Sequence, residues 1–95
     1  MVLRISQTVD HMKGSATLRL EGAMSAEEAA LLEGYCEELT GRSISSITLD
    51  LEGLTFLDGA GGATIRRLRR TKGVTLIGCR LFIHEVIEGS HTFNS

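Results

Sequence analysis

Asp58-Gly59-Ala60-Gly61-Gly62 is the segment of this chain best equipped for chemistry. It joins an apolar, strand-like run to a helical pattern that starts at Ala63. Glycines at such a junction let the backbone approach a ligand closely, and a helix N-terminus offers free N–H groups with a positive partial charge. An anion could be held there. The spacing is neither G-x-G-x-x-G nor G-x-x-x-x-G-K-[ST], and no lysine follows to reach a phosphate. Glycines needed for a tight strand-to-helix turn are therefore the favoured explanation. Asp58 is placed to cap the helix by accepting N–H bonds from the turn after it. Asp50 could pair with Asp58 as two carboxylates, but it sits inside an apolar strand pattern, which favours a structural role.

The other reactive side chains form no constellation. His84 has Glu88 at i, i+4, yet no second His or Cys stands at metal-ligand spacing, so no metal and no cofactor are expected. No serine sits in G-x-S-x-G, and neither Cys36 nor Cys79 has a local activating base. One Tyr, three Phe and no Trp leave little to line an aromatic ligand cage. An enzyme is the least supported reading.

Composition sets the frame for these residues. Ninety-five residues make one small domain, spanning 1–95, whose apolar content (42%) is enough to fold without staples. Two cysteines are too few for a disulfide framework, so buried free thiols in a reducing cytoplasm are expected. The first residues show no secretion-signal pattern, and no apolar run approaches a bilayer span, so membrane insertion is not expected. Five of the ten bases fall between Arg66 and Lys72. Without interleaved aromatics, and with a net charge of -2, that cluster reads as a solvated helix face rather than a nucleic-acid surface. Eleven glycines and no proline mean that turns are made by glycine and polar residues.

The elements that must position the glycine segment follow from periodicity. Val2 to Thr8 and Ala16 to Glu21 read as two strands joined by a turn at Lys13-Gly14-Ser15, an N-terminal hairpin. Gly22-Ala23-Met24 is a short connection. Ser25 to Glu28 reads as a capping box opening a helix that runs to about Thr40, with Ala29, Leu32, Cys36 and Leu39 inward and glutamates outward. Ile47 to Leu51 is a strand, followed by an apolar loop over Gly53 to Leu57 and then the glycine turn. Ala63 to Arg70 forms the second helix, with Ile65 and Leu68 inward and Arg66, Arg67, Arg69 and Arg70 in solvent. Val74 to Ile77 is a strand. Leu81 to Glu88 is a third helix, with Leu81 or Phe82, Glu85 and Val86 marking its period. His91-Thr92-Phe93 is a last short strand. This ββαβαβα(β) order predicts an α/β fold with a mostly parallel four- to five-stranded sheet and about three helices.

The segment Leu49-Asp50-Leu51-Glu52-Gly53-Leu54-Thr55-Phe56-Leu57-Asp58-Gly59-Ala60-Gly61 resembles the signature of STAS domains, the anti-sigma-factor antagonist family. Leu18-Arg19-Leu20-Glu21-Gly22, Lys72 to Gly78 and Arg80 to Phe93 resemble further elements of that family, so the likeness spans nearly the whole chain. The resemblance implies a STAS-like fold. In signalling members the residue after the motif Asp is a Ser or Thr phosphorylated by a partner kinase. Here it is Gly59, followed by Ala60, and neither carries a hydroxyl. The family often places an Asp where this chain has Ser25. The family's usual C-terminal helix is not seen in the sequence, and its loss would favour a homodimer.

The resemblance implies a non-catalytic interaction module in cytoplasmic bacterial regulation. Its partner would be an anti-sigma factor of the serine-kinase type, met through Ser25, Asp58, Gly59, Ala60, Gly61, Gly62 and Arg66. Two alternatives stand beside it. One is a protein that binds a small ligand or, weakly, a nucleotide, through the glycine segment and Arg66. The other is an accessory subunit of a lipid-transport ATPase.

Overall fold

The computed structural model describes residues 2–89. Period-two apolar residues and a Gly14 turn at φ +65 fold the first part of the chain into a hairpin, β1 (Leu3–Asp10) and β2 (Ser15–Met24). Then come α1 (Ala26–Gly41), β3 (Ser46–Leu57), α2 (Gly59–Lys72), β4 (Thr75–Ile77) and α3 (Leu81–Glu88). The sheet order is β1-β2-β3-β4, with β1 antiparallel to β2 and the other pairs parallel. The expected α/β class, element order and mixed sheet are all present. The strand expected at His91-Thr92-Phe93 lies outside the described residues. Among the described residues, no helix is long and apolar enough to cross a membrane.

The register assigns the two faces of the sheet. Ala16, Leu18 and Leu20 of β2 stand beside Ile47, Leu49 and Leu51 of β3, and all are buried. They share one core with Leu32 and Leu39 of α1, Ile65 and Leu68 of α2, and Ile83 and Ile87 of α3. The opposite face carries a row of threonines in register across all four strands, Thr8, Thr17, Thr48 and Thr75. The helices thus form one layer, and the other sheet face is polar.

Several boundaries differ from the sequence reading. Gly22 to Met24 continue β2 instead of forming a connection, because Gly22 takes φ +107 where Val2 crosses close by. Gly53 to Leu57 are strand, not loop. β3 carries an extra residue against β2 at two places, between Arg19 and Glu21 and between Gly22 and Ala23, and these irregularities hide its alternation. Helix α2 starts at Gly59, four residues before Ala63, so the glycines form its first turn and not a loop. Helix α1 extends through Gly41, and the left-handed residue beyond it is Ser43 (φ 69). In α3 the inward pair is Ile83 and Ile87, while Leu81 and Phe82 are exposed.

Candidate functional site

Two parallel strands ending in register place two helix N-termini side by side. Met24 pairs with Leu57 at the carboxyl ends of β2 and β3. The next residue in each case is a helix N-cap, Ser25 for α1 and Asp58 for α2. The Asp58 N–H donates to Met24 O at 3.2 Å and fixes the two caps together. Thr55 Oγ1 adds a second tie, donating to Gly22 O at 2.9 Å.

Each N-terminus is satisfied by a carboxylate of the chain itself. Asp58 Oδ1 accepts from the Gly61 N–H at 2.7 Å, the cap expected from the sequence. The capping box at Ser25 also forms. Glu28 Oε1 accepts from the Ser25 N–H at 2.9 Å and from the Ser25 hydroxyl. Those bonds, the hydroxyl's first, hold the Glu28 carboxyl below its ordinary pKa. Negative charge at both helix starts also matches the helix dipoles.

Beside the Ser25 cap lies an open hollow of about 330 Å³, lined by Ala23, Ser25, Glu27, Glu28 and Phe56. None of these five is basic. Phe56 is 44% exposed, an aromatic ring presented to solvent beside two glutamates. Sequence reasoning placed Phe56 in a loop and gave it no role. The only local signal was the spacing of Leu54 and Leu57, both buried and three apart, which breaks strict alternation and turns Phe56 outward.

The glycines of the first α2 turn have different surroundings. A Cβ on Gly59 would meet nothing within 4 Å, and the residue is exposed. Ala60 is exposed as well. Gly61 and Gly62 are buried. A Cβ on Gly61 would lie 2.8 Å from Leu57 Cδ1, and one on Gly62 would lie 2.7 Å from the Val86 carbonyl oxygen of α3. Ser25, Asp58, Gly59 and Ala60 therefore share one surface, with Gly61 and Gly62 packed beneath it.

Arg66 is not brought to that surface. It sits seven residues into α2, about 10 Å along the axis from Gly59. Its Nη1 donates to Ile87 O at 2.6 Å, at the carboxyl end of α3, where a cation is favoured. It is half-buried rather than in solvent, a correction to the face expected for it. Its neighbours also knit helices together: Arg67 pairs with Glu33 of α1, and Arg69 with Glu88 of α3 at 3.1 Å. Asp50 and Asp58 form no carboxylate pair, since eight residues of strand at about 3.3 Å each hold them on the order of 25 Å apart. Asp50 Oδ1 instead accepts from the Glu52 N–H at 3.1 Å. Among the described residues no cluster of His, Cys, Asp or Glu could hold a metal ion.

Comparison with known proteins bears on the whole of this arrangement. The structure of the anti-sigma factor antagonist SpoIIAA in its unphosphorylated form superposes with a TM-score of 0.68 at 15% identity, covering 94% of this chain and 84% of that one. This likeness is one of fold. The comparison with curated proteins returns no match. The family model described as the STAS domain matches residues 2–87, which include both caps and all three helices nearly to the end of α3. By that match, the chain belongs to the STAS domain family.

Proposed function

We propose that residues 1–95 form one non-catalytic interaction module of the anti-sigma-factor-antagonist kind, docking through the paired N-termini of α1 and α2. Ser25, Glu27, Phe56, Asp58, Gly59 and Ala60 supply the face. Gly61 and Gly62 let it pack down on the core, and Arg66 braces α2 against α3. The observation that carries the reading is at Gly59. The exposed first residue of α2, beside the Asp58 cap, has open space around it and no hydroxyl. Phosphorylation there would place about -1.5 to -2 charge at a helix N-terminus, and this chain has no atom to accept it. Binding is therefore independent of kinase action at that position.

Charge favours a protein partner with a basic contact over a nucleotide. A phosphate entering the hollow meets Glu27 and Glu28 and no cation among its lining residues. Thermal-shift titration with millimolar ATP should leave the melting temperature unchanged, and a saturable rise would restore the ligand-binding reading.

The test of the main reading is affinity capture from the native cell, with wild type and Glu27→Arg as paired baits. A serine-kinase-type anti-sigma factor retained by wild type, held equally with and without ATP, and weakened about tenfold or more by Glu27→Arg is expected. Capture of a transport ATPase instead would assign the same face to a different partner class. ATP-dependent release of the wild-type chain, with phosphate on Ser25 by mass spectrometry, would overturn the proposal. Gly59→Ser adds a gain-of-function arm: the open space accepts the side chain, and phosphorylation with release should appear.

A further inference from the structure

Among the described residues the sheet has two free edges, and they differ in kind. β4 is three residues long and is followed by Gly78 at φ +67. β1 runs for eight residues against β2 with no register shift, and among the described residues nothing pairs with its outer side. Edge strands of this length invite pairing unless proline, inward charge, lysine or a bulge blunts them. β1 has none of these. Its two charges, Arg4 and Asp10, both lie on the polar face with Ser6 and Thr8.

Hydrogen bonding shows which residues offer their backbone to that edge. Val2 O accepts from the N–H of Ala23, the residue opposite it in the β1–β2 register, at 3.2 Å. In an antiparallel pair, alternate residues exchange both bonds with the neighbour strand. Arg4, Ser6 and Thr8 therefore turn their N–H and C=O groups toward β2. Leu3, Ile5, Gln7 and Val9 turn theirs outward. Leu3, Ile5 and Val9 also face the core side but stay only half-buried, because the helices pack over β2 and β3.

We infer that a second copy of this chain pairs antiparallel along β1, with Gln7 on the two-fold axis. The strand is self-complementary in that register. Ile5 faces Val9 of the second copy, Ser6 faces Thr8, and Arg4 faces Asp10, each relation repeated by symmetry. Apolar, hydroxyl and opposite-charge cross-strand pairs all favour association. Centring the pair on Ser6 or Thr8 would set Gln7 against Ile5 or Val9 and separate Arg4 from Asp10. Asp10 is held at the strand end by accepting from the N–H groups of Met12 (3.1 Å) and Lys13 (3.2 Å) through one oxygen, which leaves the other to Arg4. The half-buried Leu3, Ile5 and Val9 of both copies gain cover together. The two-fold sends the two Ser25–Asp58 faces to opposite ends of the joined sheet, so this contact is independent of the docking proposed above.

Sedimentation velocity across micromolar to millimolar concentrations tests the pairing, with a species of twice the chain mass expected. Gln7→Pro removes an N–H that has no partner among the described residues, and proline is tolerated on such an edge. It should keep the wild-type melting curve measured at low micromolar concentration while raising the dimer dissociation constant about tenfold or more. Gln7→Cys brings two thiols to a bonded pair whose Cα atoms lie about 5.5 Å apart, within disulfide reach, so mild oxidation should cross-link it and not Ser6→Cys. Hydrogen exchange adds a signature of parity: the amides of Ile5, Gln7 and Val9 should slow on dimerisation. A wild-type chain that stays monomeric throughout overturns the inference. So does a Gln7→Pro variant that dimerises as wild type does, or a Gln7→Cys variant that fails to cross-link.

Discussion

Alanine placed in turn at Gly59, Gly61 and Gly62 should give three different stabilities from one chemical change. All three positions lie in the first turn of α2, and none has a left-handed φ. Alanine is the better helix former by about 1 kcal/mol in a helix interior, and by less in a first turn. At Gly59 nothing opposes that gain, because a Cβ would meet nothing within 4 Å. At Gly61 the nearest atom is Leu57 Cδ1 at 2.8 Å, the end of a side chain that can rotate, followed by Asp58 Oδ1 and Met24 O, both at 3.2 Å. At Gly62 the obstruction is backbone, with Val86 O at 2.7 Å and Val86 C at 3.0 Å. Ordinary contact starts near 3.4 Å, so α3 must retreat by about 0.7 Å, loosening its contacts across the α2–α3 interface.

Overpacking of this kind typically costs about 1–3 kcal/mol. Set against the helix-propensity gain, Gly62→Ala should destabilise by about 1–2 kcal/mol. Gly61→Ala should lie near zero, and Gly59→Ala should be neutral or slightly stabilising. In a domain of this size about 1 kcal/mol moves the melting temperature by roughly 4–8 °C, so the series is resolvable by circular dichroism with urea titration beside it. The m-value should not change, since one added methyl group barely alters the surface exposed on unfolding. A Gly62→Ala protein as stable as wild type would refute the close α2–α3 approach. A Gly59→Ala protein less stable than Gly62→Ala would refute the assignment of the open position.

Three further outcomes follow from the same structure. Asp58→Ala removes the acceptor of the Gly61 N–H bond and should cost about 1 kcal/mol in urea denaturation, with Asp58→Asn recovering most of it. Glu28 has its folded pKa lowered from 4.5, so its contribution is present above that value and is lost as pH falls through the folded pKa; Glu28→Gln should flatten that acid limb of the stability curve. Burial pushes the Cys36 thiol up to about 11 and raises Cys79 as well, so a thiol reagent at pH 8 should label the half-buried Cys79 first and reach Cys36 only on unfolding.

Much of the fold was legible in the sequence because its signals are local. Alternation in Ala16-Thr17-Leu18-Arg19-Leu20 makes a half-buried strand, and Ala29, Leu32, Cys36 and Leu39 make an amphipathic helix whatever surrounds them. Ser25 and Asp58 were identifiable as caps for the same reason. What stayed hidden depends on neighbours distant in sequence. The preference for glycine at position 62 comes from α3, whose Val86 lies where a Cβ would stand. The outward turn of Phe56 requires the irregular pairing of β3 with β2. The half-buried place of Arg66 requires Ile87 O, twenty-one residues further on. Apart from the three-residue spacing of Leu54 and Leu57, none of these features leaves a mark in the local pattern.

The electrostatics of the proposed docking face limit how it could be switched. Both helix N-termini, the positions where a phosphate would otherwise be stabilised, already hold the chain's own carboxylates, Asp58 on α2 and Glu28 on α1. At Gly59 there is no hydroxyl to modify. Ser25 has one, but it donates to Glu28 and belongs to the capping box. A phosphate on Ser25 would lose that bond and stand against the Glu28 and Glu27 carboxylates, a like-charge contact that opposes modification and disrupts the start of α1. The face is thus acidic and apolar at once, with Phe56 beside Glu27, and stays so without any covalent change. If the chain docks as proposed, control of binding would belong on the partner's side, in its own nucleotide or conformational state, or in how many copies of this chain it meets. Pairing through β1 would present two such faces at opposite ends of one sheet and raise avidity without altering either face.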